Sequence, residues 1–168
     1  NKKLYEKAKR LRWFGIDRSA KQKGIWENDI SEIGYKYQMT DLSASLGIAA
    51  LDDLDYLINH RKKLLNAYLT EINHPHVKVL HIKNEKGTSS SPWLCTLIVQ
   101  EKRLELMNKL RSHGIESAQV HYRNDRYSVF GGRKSDLPIM DDIENKYLVL
   151  PLHHKVSLLN IKKIAQII

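Results

Sequence analysis

GYKYQMTDLSASLG, residues 34–47, decides how the whole chain is read. Two tyrosines, a lysine and a glutamine stand directly ahead of a helix start. Thr40 is placed to cap that helix, because its hydroxyl can accept from the free N–H groups of the first turn. Asp41 suits the positive end of the helix dipole. From Leu42 the apolar positions 42, 46, 50, 54, 57, 58, 64, 65, 68 and 72 keep a helical period. The spacing predicts helix from Asp41 to Ile72, either as one long element or as two broken near Asp52–Asp55. The segment ahead of Thr40 has two readings. It is a strand-to-helix turn with its tyrosines in the core, or it presents Tyr35, Lys36, Tyr37 and Gln38 to a ligand.

Working outward, Leu4 to Trp13 reads as a short amphipathic helix ended near Gly15. Residues 17–33 are polar and read as a loop or extended arm. Downstream the texture changes to strands. HVKVLHI (76–82) and SPWLCTLIV (91–99) are predicted strands, joined by the turn-rich NEKGTSSS (84–91). Glu101 to His113 is helical and Gly114 supplies its stop. ESAQVHY (116–122) is a predicted third strand and RNDRYSVFGGRKSD (123–136) a loop. Asp141 to Lys146 forms a helical turn, YLVLPL (147–152) a last strand, and Ser157 caps a final helix. Antiparallel strands with helices on one face define an α+β fold.

With 168 residues the chain can bury one ordinary core. Its 42% hydrophobic and 28% charged residues describe a globular chain and not a disordered one. No apolar run approaches the roughly 20 residues of a membrane helix. NKKLYEKAKRLR at the start is charged and has no apolar core, so no signal peptide is expected. The first residue is Asn and not Met, which suits a start inside a longer protein. The lone Cys95 cannot form an internal disulfide, reads as a buried small hydrophobe, and agrees with a cytoplasmic location. The net charge of +9 is spread along the chain with no nucleic-acid motif, so no nucleic-acid partner is expected. Trp13, Trp26 and Trp93 read as core or interface residues. His74-x-His76 and His153–His154 have no Cys or acidic partner at metal spacing, and no metal site is expected.

GYKYQMTDLSASLGIAALDDLDYLINHR (34–61) resembles the G-Y-N/K-Y-x-M-T-D/E block of the DegT/StrS family of sugar aminotransferases, which depend on pyridoxal 5'-phosphate. LRWFGIDR (11–18), HGIESAQVHY (113–122) and YLVLPLHHKVS (147–157) match three further family blocks in order. Together the four span nearly the whole chain. There are departures: Ser45 stands where Ala is usual, Ala50 where Gln is usual, and residues 123–132 replace a proline-rich loop.

The resemblance implies the fold of the aspartate-aminotransferase type, of which this chain would be the C-terminal part. Residues 1–40 would be the tail of the large cofactor domain and a connecting arm, 41–73 a long linking helix, and 74–168 the small C-terminal α/β domain. The implied reaction moves an amino group from glutamate or glutamine to a nucleotide-linked keto-sugar, in a homodimer whose sites draw on both subunits. The family's cofactor-linked lysine and ring-nitrogen acid lie upstream of the LRWFGIDR-like block, so no catalytic residue is assigned here and the chain alone is expected to be inactive. Lys36 is not its substitute, since its neighbours suggest a charged contact. Lys36 and Gln38 instead match the position that holds the cofactor phosphate across the dimer interface, where a cation and an amide N–H suit phosphate oxygens. Tyr35 and Tyr37 would wall the pocket. His121, Tyr122 and Arg123 would meet the sugar nucleotide, the imidazole through a hydroxyl or phosphate and the guanidinium through a diphosphate. The alternative is a non-catalytic dimerisation or nucleotide-sugar-binding module. Leu46, Leu54 and Leu57 are candidates for apolar surface that another domain covers.

Overall fold

The computed structural model describes residues 1–27, 29–81 and 86–168. It divides the chain into two compact units, Asn1–Asp52 and Asp53–Ile168.

The first unit holds α1 (Lys2–Leu11), α2 (Arg18–Gln22) and α3 (Asp41–Asp52). Its ends follow local chemistry. The Asn1 side chain accepts from Lys3 N and Leu4 N, and Asp17 does the same for Ser19 N and Ala20 N. Thr40 Oγ1 accepts from Ser43 N at 3.2 Å, the cap expected from the sequence. The 17–33 arm contains α2, a five-residue helix nucleated by Asp17 that the polar composition did not announce. Between α1 and α3 the chain crosses itself. Trp13 pairs with Lys36 in a single antiparallel bridge, with Phe14 N bonded to Tyr35 O and Tyr35 N to Leu11 O. Two glycines allow this approach. A Cβ on Gly34 would overlap the backbone of Phe14 and Gly15, and Gly15 itself has a φ of +77°. Among the described residues of this unit only Gly15 is buried, and Leu42, Leu46, Ile48 and Leu51 of α3 are exposed.

The second unit holds α4 (Leu54–Glu71), β1 (Val77–Val79), β2 (Cys95–Val99), α5 (Arg103–Ser112), α6 (Pro138–Ile143), β3 (Tyr147–Leu150) and α7 (Leu158–Ile167). The predicted 41–72 helix is thus two helices, parted at Asp53. Asp52 and Asp53 are unfavourable at the negative end of one helix and favourable at the start of the next. The sheet order is β1-β2-β3, both pairs antiparallel, with Val77 opposite Val99 and Cys95 opposite Leu150. In β2 the buried residues Cys95, Leu97 and Val99 alternate with half-buried Thr96 and Ile98, as a sheet with one face on the core requires. All four residues of β3 are buried. Leu64, Leu65 and Tyr68 of α4, Leu110 of α5 and Ile161 and Ile164 of α7 form one cluster with Cys95, Leu97 and Val99 of β2 and Leu148 and Leu150 of β3. The capping box at Ser157 and Asn160 and the left-handed Gly114 end their helices as expected.

Two expectations are corrected. Residues 116–122 form no strand; they contribute one isolated bridge, Ala118 to Val149. His121 takes a left-handed φ of 56°, and its carbonyl accepts from the Tyr147 hydroxyl instead of a ladder N–H. The tryptophans, read as core or interface residues, are not in the core: Trp26 and Trp93 are exposed and Trp13 is half-buried, which leaves the interface reading. The strand predicted to reach 82 ends at Val79, and its tail, with the start of the 84–91 turn, lies partly outside the described residues. Cys95 is fully buried, and burial pushes its thiol up to about 12. Leu46 and Leu54 are exposed and Leu57 half-buried.

Candidate functional site

The sequence-predicted site residues fall in two places, one in each unit. In the first unit, residues 35–38 are pinned against the end of α1. Tyr37 N and Gln38 N both donate to Arg12 O, at 2.9 and 3.1 Å, beside the two bonds of Tyr35. The backbone is therefore held while the side chains are displayed. Tyr35 and Tyr37 are 53% and 74% exposed, which removes the reading of them as core residues. Their rings stack, with centroids 5.2 Å apart and planes 16° from parallel. Residues two apart in extended chain share a side, so Lys36 and Gln38 take the other. Lys36 is exposed and no carboxylate pairs with it among the described residues. The Gln38 Oε1 is buried and accepts no hydrogen bond. Lys36 is a cation that suits a phosphate group; of the Gln38 amide only Nε2 could donate to one, since the unmet Oε1 is an acceptor.

In the second unit, Arg123 is 6% exposed and not free to read a phosphate. Its Nε and Nη2 grip both oxygens of Asp125 at 2.6 Å. Its Nη1 donates to Asp141 and, at 3.4 Å, to Glu144; its Nη2 also reaches Lys134 O. Arg133 joins from outside, at 3.0 Å from Asp141 and 2.5 Å from Glu144. Every guanidinium nitrogen of Arg123 has a protein acceptor. The expected diphosphate contact gives way to a structural role, that of holding the 123–134 loop on α6. Sequence reasoning missed Asp125, Asp141 and Glu144 because two of them lie 18 and 21 residues from Arg123.

His121 and Tyr122 are exposed at the start of this loop. The His121 ring meets Trp93 edge-on at 5.5 Å. Arg126 lies over the Tyr122 ring at 4.5 Å. Tyr122 and Arg126 line a cavity of about 430 Å³ with Gln119, Arg133 and Glu144. Among the described residues no group of three His, Cys, Asp or Glu converges in a way that would hold a metal ion.

The ion cluster sets an acid limit. The Arg123 guanidinium beside Asp125 and Asp141 holds both carboxyls below the usual carboxylate range. A carboxyl whose folded value is lowered contributes stability that is present above its ordinary value, about 3.9, and lost as pH falls through the lowered one. Amide exchange in residues 123–134 is therefore expected to be pH-independent in its protection from neutrality down to about pH 4. Protection should fall below that, while the β2–β3 ladder stays closed longer. Simultaneous loss of both would remove the cluster's local role.

The profile of the DegT/DnrJ/EryC1/StrS aminotransferase family matches residues 1–168, and the chain belongs to that family. It is 29% identical over 168 residues to the UDP-4-amino-4,6-dideoxy-N-acetyl-beta-L-altrosamine transaminase of Campylobacter jejuni, covering 96% of this chain and 43% of that protein. It is 27% identical over 159 residues to the GDP-perosamine synthase of Escherichia coli O157:H7, covering 94% of this chain and 41% of the relative. The chain thus spans less than half the length of these relatives, matching a C-terminal portion. Among solved structures it superposes on the sugar aminotransferase CalS13 of Micromonospora echinospora with a TM-score of 0.86 at 21% identity, over 99% of this chain and 44% of that one. The PMP-form of Spr1654 of Streptococcus pneumoniae gives 0.83 at 27% identity, over 99% of this chain and 44% of that one. The family's sugar aminotransferases are pyridoxal-phosphate dependent. No described helix is long and apolar enough to cross a membrane.

Proposed function

We propose that this chain is the C-terminal part of a pyridoxal-phosphate-dependent aminotransferase that moves an amino group from glutamate or glutamine to a UDP- or GDP-linked keto-sugar. The observation that carries the reading is the 34–38 turn, whose backbone is pinned to Leu11 and Arg12 while Lys36 is exposed with no carboxylate partner among the described residues. A rigid, exposed, uncompensated cation is a preorganised contact for an anionic group. Lys36 and Gln38 hold the cofactor phosphate of a partner subunit in a homodimer, and the stacked Tyr35 and Tyr37 form an aromatic wall beside it. His121 and Tyr122 face the sugar nucleotide, with Arg123 positioning them through the loop. Residues 1–40 belong to the end of the large domain, 41–73 link it, and 74–168 form the small domain.

When bound, pyridoxal phosphate supplies the electron sink that amino transfer needs. What this chain's residues add is placement: a charge at Lys36, an amide at Gln38, and rings that exclude water from one side. In the whole protein, Lys36→Met is expected to weaken cofactor binding roughly tenfold to a hundredfold, the span of a lost charge-assisted contact. Absorbance titration with pyridoxal phosphate measures it. His121→Ala should raise KM for the nucleotide sugar with cofactor affinity unchanged. Unaltered cofactor affinity in Lys36→Met rejects the phosphate role; absence of amino transfer by the whole protein leaves the dimerisation or nucleotide-sugar-binding module.

A further inference from the structure

Arg61 closes the 34–61 sequence block, yet the reading above gives it nothing to do. It lies on α4, one turn before Leu64 and Leu65 and on their side of the helix. Its Nε is buried and donates to no acceptor. No carboxylate lies within ion-pair distance of its guanidinium among the described residues, in contrast to Arg123 and Arg133. A buried N–H without an acceptor is costly and rare in a folded protein, and calls for a partner. Arg61 opens on a cleft of about 280 Å³ inside the second unit. Trp93, Leu94, Ala118, Leu152 and His153 line it as well. The wall is mostly apolar with a single cation. His153 accepts from Lys155 N at 3.3 Å through Nδ1, which leaves Nε2 as the protonated donor of the neutral ring.

We infer that this cleft binds a small organic carboxylate, with the carboxylate on the Arg61 fork and an apolar body along Trp93 and Leu152. A planar guanidinium matches the two oxygens of a carboxylate. Glu116 also lines the cleft and carries the opposite charge, which disfavours phosphate dianions and other polyanions. The volume suits a molecule of about amino-acid or short fatty-acid size, at the low end of small-molecule pockets. His121 touches the Trp93 ring but does not line this space, so the inference stands apart from the nucleotide-sugar reading.

Trp93 is a built-in reporter. In the chain carrying Trp13→Phe and Trp26→Phe it is the one tryptophan left of three. Hexanoate, hexan-1-ol and inorganic phosphate are titrated at constant ionic strength while its emission is followed. Hexanoate should give a saturable change with an affinity at least roughly tenfold above the other two, since they lack either the charge or the apolar body. Arg61→Met should weaken hexanoate by about the same factor, and Arg61→Lys by less, as a point charge replaces the fork. Equal response to hexan-1-ol would make the cleft an apolar slot in which Arg61 plays no part, and equal response to phosphate would make Arg61 an unselective surface cation. Either result, or no saturation with hexanoate, overturns the assignment. If Arg61→Met does not fold, the comparison of hexanoate with hexan-1-ol decides the matter on the Arg61-containing chain.

Discussion

Gly34→Ala is expected to undo the crossing that displays Tyr35, Lys36, Tyr37 and Gln38. The added Cβ would overlap Gly15 N and the Phe14 carbonyl carbon, which are backbone atoms and cannot swing aside as a side chain would. The neighbouring strand of the crossing must move, and the bonds from Tyr35 N to Leu11 O and from Tyr37 N to Arg12 O go with it. Losing two or more backbone bonds together with the packing around them costs roughly 3 kcal/mol or more locally. Amide exchange at Tyr35, Tyr37 and Gln38 should accelerate by about a hundredfold or more, following that cost. In the whole protein, cofactor affinity should drop at least as far as in Lys36→Met, because all four displayed side chains lose their placement at once. Wild-type protection at Tyr35 and Tyr37 in the variant would show that the close approach is not needed.

Leu64→Ala should destabilise the second unit by about 3 kcal/mol, within the range for leucines truncated in a packed core. Leu64 is fully buried and belongs to the same cluster as Leu97, Leu148 and Ile161, so the vacated volume is bounded by α4, the sheet and α7. For a unit of this size that loss lowers Tm by more than about 10 °C. Leu46→Ala on α3 is the control. That side chain is exposed, and the change should move Tm by no more than about 2 °C. A similar shift for both variants would mean that the core described by burial is not the one that holds the unit together.

Much of this architecture was open to reading from the chain alone, because its causes are local. Thr40 and Ser157 cap helices through atoms two or three residues away, and Gly114 stops α5 through its own φ. The alternation in CTLIV and the period from Leu42 to Ile72 fall straight out of side-chain spacing. The four ordered blocks carried the family. What local pattern could not carry was where hydrogen bonds and charges are satisfied. ESAQVHY has the texture of a strand, yet it makes one bridge, from Ala118 to Val149, and at His121, with its left-handed φ, the carbonyl accepts from the Tyr147 hydroxyl in place of a ladder N–H. Tyr35 and Tyr37 look like core residues in a list of letters, and the crossing of two glycine-bearing segments makes them a displayed stack.

Arg123 and Arg61 show the division most plainly. In the sequence both are basic residues within family-like blocks or next to one. Among the described residues, three carboxylates lie within ion-pair distance of Arg123 and none within that distance of Arg61. Sequence by itself determined most of the elements, their order and the family, because those depend on neighbours along the chain; the strand read at 116–122 and the missed α2 are the exceptions. Tertiary structure alone decided which cation is neutralised and which remains open to a ligand. Pairing depends on distances across the fold, and Coulomb energy follows those distances and not sequence separation.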